Sequence, residues 1–292
     1  MATNGTGTRG AVVITGASTG IGEACALRLD TIGFRVFAGV RNEADGARVK
    51  AQASERLAPL IIDVTDAASI ASAKDTVTAA VGEAGLAGLV NNAGVGVGGA
   101  LEYIPLDDLR RQLEVNVIGQ IAVTQAFLPL IRKGHGRIVN MGSIGGKVAT
   151  PFLGPYNASK FAMEALTDAL RQELRLWGIQ VAIVEPGNIK TPIWDKARSS
   201  ADEVERSMPD EGRRLYSGAI GALRATVEKQ ATSGIPPDEV AKRVAHALTA
   251  SQPKTRYLVG GDARMQAILG RVVPDRIRDG LVARFMGLPS KA

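Results

Sequence analysis

The stretch AVVITGASTGIGEACALRL, Ala11–Leu29, decides the fold of this 292-residue chain. Four apolar residues, three of them β-branched, run straight into a glycine-spaced loop and then into a helical pattern. A strand apolar on both faces belongs inside a parallel sheet covered by helices. In the loop, Gly16 permits the tight turn, while Gly20 and Gly22 let backbone and helix approach a pyrophosphate closely. Ser18 and Ile21 lie within the same loop and join the candidate cofactor contacts. The helix that follows offers unpaired N–H groups and a partial positive charge to an anion. Three glycines alone would equally make a structural turn. Their place between the first strand and first helix of a βαβ unit points to a bound dinucleotide.

Outward from this stretch the same alternation recurs. Strand-like runs start at Arg35 (RVFAGV), Ala58 (APLIID), Ala87 (AGLVNN), Arg137 (RIVNMG), Gln180 (QVAIVE) and Thr255 (TRYLVG). Helical patterns fill the gaps, including a run capped by Asp66 and a long one opened by Pro105. Strands alternating with helices imply an α/β domain with a seven-stranded, doubly wound parallel sheet flanked by helices. Over residues 193–251 the alternation stops, and a helical excursion rich in charge and alanine reads as an insertion, or lid, within one domain spanning 1–292. Residues 1–10 read as a flexible N-terminus and 262–292 as a helical C-terminal extension.

Composition narrows the function classes. Aromatic residues make up 4% of the chain, which disfavours a nucleic-acid binder that stacks bases on rings. The net charge is +6, and from Lys254 onward eight Lys/Arg stand against three Asp. A solvated basic face is the first reading of that excess, and no run of five like charges marks a nucleic-acid arm. Cys25 is the sole cysteine, so no intrachain disulfide forms; His135 and His246 lack ligand spacing, so no metal is expected. The polar N-terminus has no signal-peptide core, and no stretch is read as reaching membrane-spanning length. The expected setting is cytoplasmic, without an integral membrane segment.

Two further features carry chemistry. The second strand ends in AGVRN, with no acid to bind a ribose 2′-hydroxyl and with Arg41 suited to a 2′-phosphate. NADP(H) is therefore expected over NAD(H), against the alternative of a solvated arginine opening a helix. In PYNASKFAMEAL, from Pro155, Tyr156 and Lys160 are four residues apart and share one helical face. A nearby ammonium favours phenolate, so the pair reads either as a proton-transfer device or as a polar surface pair.

The glycine pattern, NNAG at Asn91–Gly94 and the Tyr156/Lys160 pair occur together and in order. They resemble the short-chain dehydrogenase/reductase family, in its TGxxxGxG branch, over roughly Ala11 to Pro192. An extended-branch epimerase would show TGxxGxxG instead. The resemblance implies a Rossmann-type domain and a catalytic set of Asn116, Ser143, Tyr156 and Lys160. It implies Tyr156 as general acid/base, Ser143 on the same substrate oxygen, Lys160 on the ribose hydroxyls, and Asn116 holding a water that links Lys160 to solvent. Cofactor contacts carry over to Asp63 and Val64, to Asn91, Ala93 and Gly94, and to Pro186, Gly187, Ile189 and Thr191. Homodimers or homotetramers are the family's usual assembly.

Substrate contacts are expected from Val95, Phe152, Leu153 and Trp194 beside Ser143 and Tyr156, with Val97, Ile193, Met208 and Tyr216 nearby. The set is largely apolar, which suits a lipophilic alcohol or carbonyl, unless several of these residues merely pack the lid onto the body. The tail from Pro236 resembles the retinol- and hydroxysteroid-dehydrogenase subgroup. Within it, VPDRIRDGLVARFMGL from Val273 reads as a basic amphipathic helix. Packing on its own domain is its first reading; covering the pocket, joining subunits or peripheral membrane contact are the others. The activity so implied interconverts a secondary alcohol and a ketone or aldehyde on a retinoid- or steroid-like molecule. The alternatives are a reductase of small or acyl-thioester 3-oxo substrates, and a non-catalytic dinucleotide-binding scaffold.

Overall fold

The seven apolar runs become seven strands of one sheet: β1 (Ala11–Ile14), β2 (Arg35–Val40), β3 (Leu57–Ile61), β4 (Gly88–Asn91), β5 (Arg137–Met141), β6 (Gln180–Pro186) and β7 (Arg256–Val259). The computed structural model describes residues 9–192, 194, 199, 202–203, 205–206 and 208–288. Most of the expected flexible N-terminus, and Ile193, lie outside the described residues. Strand order is β3-β2-β1-β4-β5-β6-β7, with every pair parallel. The chain winds outward from β1 to β3 and then crosses to β4 on the other side. The reversal opens a crevice at the carboxyl ends of β1 and β4, where open α/β sheets take ligands.

Period-two alternation sends successive side chains of each strand into different layers. Val12 and Ile14 pack with Cys25 and Leu29 of α1 (Gly20–Thr31), whereas Val13 packs with Val77 of α3 (Ala67–Val81). The short α2 (Glu43–Lys50) follows β2, capped by the Asn42 side chain. Asp66 caps α3 as expected, accepting from Ala68 N–H.

The long apolar pattern forms one continuous helical run: α4 (Leu106–Leu113), a π-helical turn (Glu114–Ile118) and α5 (Gly119–Lys133). By length and composition these 28 residues could cross a membrane, contrary to the expectation that no stretch is long enough. The run is instead built into the body: Val123, Phe127 and Ile131 sit in the core. Gln112, Asn116, Gln120 and Thr124 are buried, and each is hydrogen-bonded inside the protein.

A second row of polar groups ties this helix to the sheet and to α6 (Gly154–Glu173). Asn91 Nδ2 donates to Thr124 Oγ1 (2.8 Å) and to Asn140 Oδ1 (2.9 Å), and Asn140 Nδ2 donates to Thr167 Oγ1 (2.9 Å). All four residues are buried.

The expected 193–251 insertion divides in two. After α7 (Asp210–Ser233), where Gly212 alone is buried, α8 (Pro237–Thr249) buries Val240, Ala241, Val244 and Leu248 against α1 and the sheet. It is the crossover helix between β6 and β7, so the excursion ends before Pro237. Charged residues between its apolar positions disguise a helix face repeating every four residues. In the C-terminal extension, α9 (Gly261–Val272) buries Ala263 and α10 (Asp275–Phe285) buries no residue. The extension lies over the surface of the domain and touches it at Ala263, at Gly270 beside Val148 and Lys147, and at the buried Met286.

Candidate active site

The glycine loop has the expected backbone. Gly16 and Gly20 adopt φ of +65° and +62°, a region closed to most side chains. At Gly22 a Cβ would stand 2.1 Å from the Gly16 carbonyl oxygen, so helix and loop touch. Thr19 at the N-cap makes no side-chain capping bond, which leaves the first-turn N–H groups of α1 available to an anion.

Two residues outside the expected set hold this loop. Thr15 Oγ1 accepts from the N–H groups of Asn92 and Ala93, both at 3.0 Å. Asn92 Nδ2 donates to the carbonyls of Thr15 and Gly16, again at 3.0 Å. Asn91, expected at the cofactor, has its side chain in the polar row beneath the sheet end; Ala93 and the exposed Gly94 line the crevice side of the turn. The strand alternation explains the split: consecutive asparagines point to opposite faces.

At the adenosine end, Arg41 is exposed immediately after β2. Asp63 follows β3 closely, accepting from Thr65 N–H (2.9 Å) and Thr65 Oγ1 (2.7 Å). Those bonds, and more weakly the Arg41 charge, hold its carboxyl below the usual range. Val64 is buried against the start of α5 at Gly119. Arg48 on α2 also reaches the glycine loop, donating to the Ser18 carbonyl and to Glu23 (2.6 Å). Ile21 stays partly exposed and packs on the apolar layer under α1.

The segment Pro186–Thr191 closes on the same loop from β6. Gly187 N–H donates to the Val259 carbonyl (2.9 Å) and Asn188 N–H to Asp262 Oδ2 (2.7 Å). Lys190 N–H donates to the Ile235 carbonyl and Ile235 N–H to that of Asn188, each at 3.0 Å. Thr191 comes within 3.2 Å of where a Cβ at Gly20 would stand. Trp194 donates its indole N–H to the Ile189 carbonyl (2.9 Å), which fixes the half-buried ring to this segment. Asp262 and Ile235 are thus supports of the loop, unmarked by any local motif.

Tyr156 and Lys160 sit in the first two turns of α6, with Pro155 near its start. The Lys160 ammonium lies 5.8 Å from the Tyr156 ring centre and donates to the Met141 carbonyl at the end of β5 (2.8 Å). Burial brings Lys160 down to about 8 from 10.5. Burial also pushes the Tyr156 phenol up, opposed by a hydrogen bond with Ser143. The expected downward shift from Lys160 is therefore not what the surrounding protein produces, because removing the phenol from water disfavours its anion.

Ser143 caps the 3-10 turn Ile144–Gly146, accepting from Gly145 N–H (3.0 Å). A Cβ on Gly145 would lie 3.2 Å from the Tyr156 ring and 3.4 Å from Ser143 Oγ, so phenol and hydroxyl flank one glycine. Asn116, in the π turn, uses its whole amide: Oδ1 accepts from Val95 N–H (2.8 Å), and Nδ2 donates to the Val95 carbonyl (3.0 Å) and Ser159 Oγ (3.1 Å). Ser159 donates to the Tyr156 carbonyl (2.7 Å), so Asn116 couples Val95 to the start of α6. Phe152 takes φ +65°, beside a glycine turn where its carbonyl accepts from Gly99 N–H (2.7 Å). It packs with Tyr103, Met208 and Tyr216, with ring centres 6.1 Å apart for Phe152 and Tyr216. These three expected substrate-side residues, Phe152, Met208 and Tyr216, hold the lid to the body. Leu153 lies across from Gly98 on the same rim.

A family model described as short chain dehydrogenase matches residues 10–202. The chain belongs to the short-chain dehydrogenase family. It is 35% identical to an NADPH-dependent 3-dehydrocapnine reductase of Ornithobacterium rhinotracheale, over 91% of this chain and 94% of that one. It is 36% identical to retinol dehydrogenase 5 of Mus musculus and 37% to 17-beta-hydroxysteroid dehydrogenase type 6 of Bos taurus, covering 96% of this chain and 90% of each. A solved short chain dehydrogenase from Burkholderia cenocepacia, in complex with NADP, superposes with a TM-score of 0.70 at 25% identity, over 97% and 99% of the two chains. One from Burkholderia phymatum in complex with NAD gives 0.76 at 26% identity, over 90% and 93%. This short-chain dehydrogenase is an NAD(P)-dependent oxidoreductase interconverting alcohol and carbonyl.

Proposed function

We propose that this dehydrogenase works on a lipophilic secondary alcohol or ketone, retinoid- or steroid-like in character, with NADP(H) preferred. The observation that carries the mechanism is Tyr156, flanked by Ser143 and Lys160 beside the glycine crevice. The positive-φ glycines, the uncapped start of α1 and the clamped Pro186–Thr191 segment make a cradle that fits a dinucleotide pyrophosphate. When bound, the nicotinamide supplies or accepts the hydride.

In carbonyl reduction, negative charge develops on the substrate oxygen. Tyr156 gives that oxygen its phenolic proton, and Ser143 donates a hydrogen bond to the same atom. In alcohol oxidation Tyr156 takes the proton. Lys160 stands within reach as the cationic neighbour that steadies the phenolate, and it would hold the ribose hydroxyls. Asn116, with its side chain committed to Val95 and Ser159, acts by positioning.

Support for NADP comes from Arg41 at the end of β2, with no acid in that strand end, and from the NADPH-dependent relative. Support for a lipophilic substrate comes from the retinol and hydroxysteroid relatives and from the apolar rim of Val95, Leu153 and Trp194. Self-association is part of the same reading, because Leu106, Ile118 and Phe161 are exposed on α4–α6. Light scattering that gives the 30.5 kDa monomer alone would remove it.

Tyr156→Phe tests the mechanism. Turnover should fall by roughly 10²–10⁴-fold, the usual weight of a positioned proton donor, while NADPH fluorescence on binding is retained. Undiminished turnover would refute the assignment.

A further inference from the structure

A cavity of about 930 Å³ lies apart from the glycine crevice, between β7, α8, α9 and the turn that follows Ser143. Six cations line it: Lys147, Arg243, Lys254, Arg256, Arg264 and Arg271. Two of these are neutralised at its floor. Lys147 pairs with Glu164 (2.6 Å) and Glu185 (3.3 Å), and Arg256 with Asp168 (2.6 Å), Glu164 (3.2 Å) and Glu185 (3.5 Å).

The other four, Arg243, Lys254, Arg264 and Arg271, pair with no carboxylate among the described residues. Four uncompensated charges around one concavity repel one another and focus a positive potential into it. A solvated basic face would spread such charges over convex surface; these share a hollow large enough for a small molecule. The wall is also partly apolar. Leu258 and Ile268 line it, and Ile268 continues onto α9 as an exposed stripe with Met265 and Val272.

We propose that this cavity is a binding site for a phosphate-bearing anion, held by Arg243, Lys254, Arg264 and Arg271, with an apolar portion lying along Ile268. Guanidinium forks match phosphate oxygens bidentately, and three of the four cations are arginine. Lys147 belongs to the segment between Ser143 and Tyr156, and Glu164 lies one turn beyond Lys160 on α6. The site therefore shares two structural members with the catalytic centre.

The test uses the full chain saturated with NADPH, so that the cofactor's own phosphate site is filled. Inorganic pyrophosphate is titrated by calorimetry. Separately, the protein is sedimented with vesicles of phosphatidylglycerol and phosphatidylcholine, or of phosphatidylcholine alone. The Arg264→Gln/Arg271→Gln variant should lose at least tenfold of whichever affinity the wild type shows, while Arg110→Gln/Arg111→Gln on α4 should retain it. Pyrophosphate binding lost in the cavity variant identifies a soluble anion. Binding to the anionic vesicles alone, lost in the same variant, identifies a lipid headgroup. Binding to neither probe, or equal losses in the two variants, overturns the proposal. If the double variant folds poorly, Lys254→Gln, at an exposed position on the cavity's edge, should still give a loss of about threefold, and no loss there counts against the proposal.

Discussion

Lys160 is placed for chemistry at the expense of stability, and Lys160→Met should show it. The ammonium is buried, and burial brings it from 10.5 to about 8. The unfolded chain therefore holds its proton more tightly than the folded one across that interval. Stability must rise with pH from about 8 to 10.5, by about 3 kcal/mol at some 1.4 kcal/mol for each unit. Below pH 8 the full penalty is present. Replacing Lys160 by Met removes the penalty and also removes the charged hydrogen bond to the Met141 carbonyl, about 1.5–3 kcal/mol. Near pH 7 the variant should thus be inactive yet as stable as the wild type, or more stable by up to about 2 kcal/mol. The clean measurement is the difference between the two proteins. Urea unfolding without cofactor at several pH values from 7.5 to 10.5 cancels every titration they share. The wild type should gain about 3 kcal/mol on the variant as pH rises. Parallel stability curves would show that Lys160 is not held against its preference, and the reasoning from burial would fail.

Three other outcomes follow from the site. Arg41→Ala should raise the KM for NADPH at least tenfold and leave that for NADH nearly unchanged; equal effects on both would remove the ground for NADP preference. Gly22→Ala forces a methyl group to 2.1 Å from the Gly16 carbonyl, so the loop must open: dinucleotide affinity should fall more than tenfold, with about 1–3 kcal/mol lost in denaturant unfolding. Asp262→Ala frees the Asn188 N–H and loosens Pro186–Thr191, so cofactor KM should rise severalfold while the response to Tyr156→Phe stays the same. An unchanged KM would mean that the Ile235 bridge alone holds the segment.

Strand positions were legible because the inner strands of this sheet are covered on both faces, and two-sided apolar runs satisfy that environment. The helical character of α8 was legible, but its place as the buried crossover between β6 and β7 was not, since Lys242, Arg243 and His246 interrupt its apolar face in one dimension while pointing away from it in three. At the site, spacing along one helix made the Tyr156/Lys160 contact readable, and the glycines announced a turn. The clamps were invisible for a different reason: Thr15 and Asn92 stand 77 residues apart, and Asn188 and Asp262 stand 74 apart. Asn91 and Asn92 could have been assigned from strand alternation, which requires neighbours to face opposite ways. The direction of the Tyr156 shift depends on burial depth, a quantity that composition does not contain.

The amide and hydroxyl row through Thr124, Asn91, Asn140 and Thr167 also bears on how such a chain can diverge. Thr167 and Tyr156 ride the same rod, eleven residues or roughly 16 Å apart. Sliding that rod by a single residue would orphan the Asn140 donor in a dry interior, at about 1–3 kcal/mol. The reacting phenol thus takes its coordinates from a fastening far from any bound molecule. Residues bordering the mouth can then be exchanged, one hydrophobe for another, to suit a new guest while the proton handler keeps its aim.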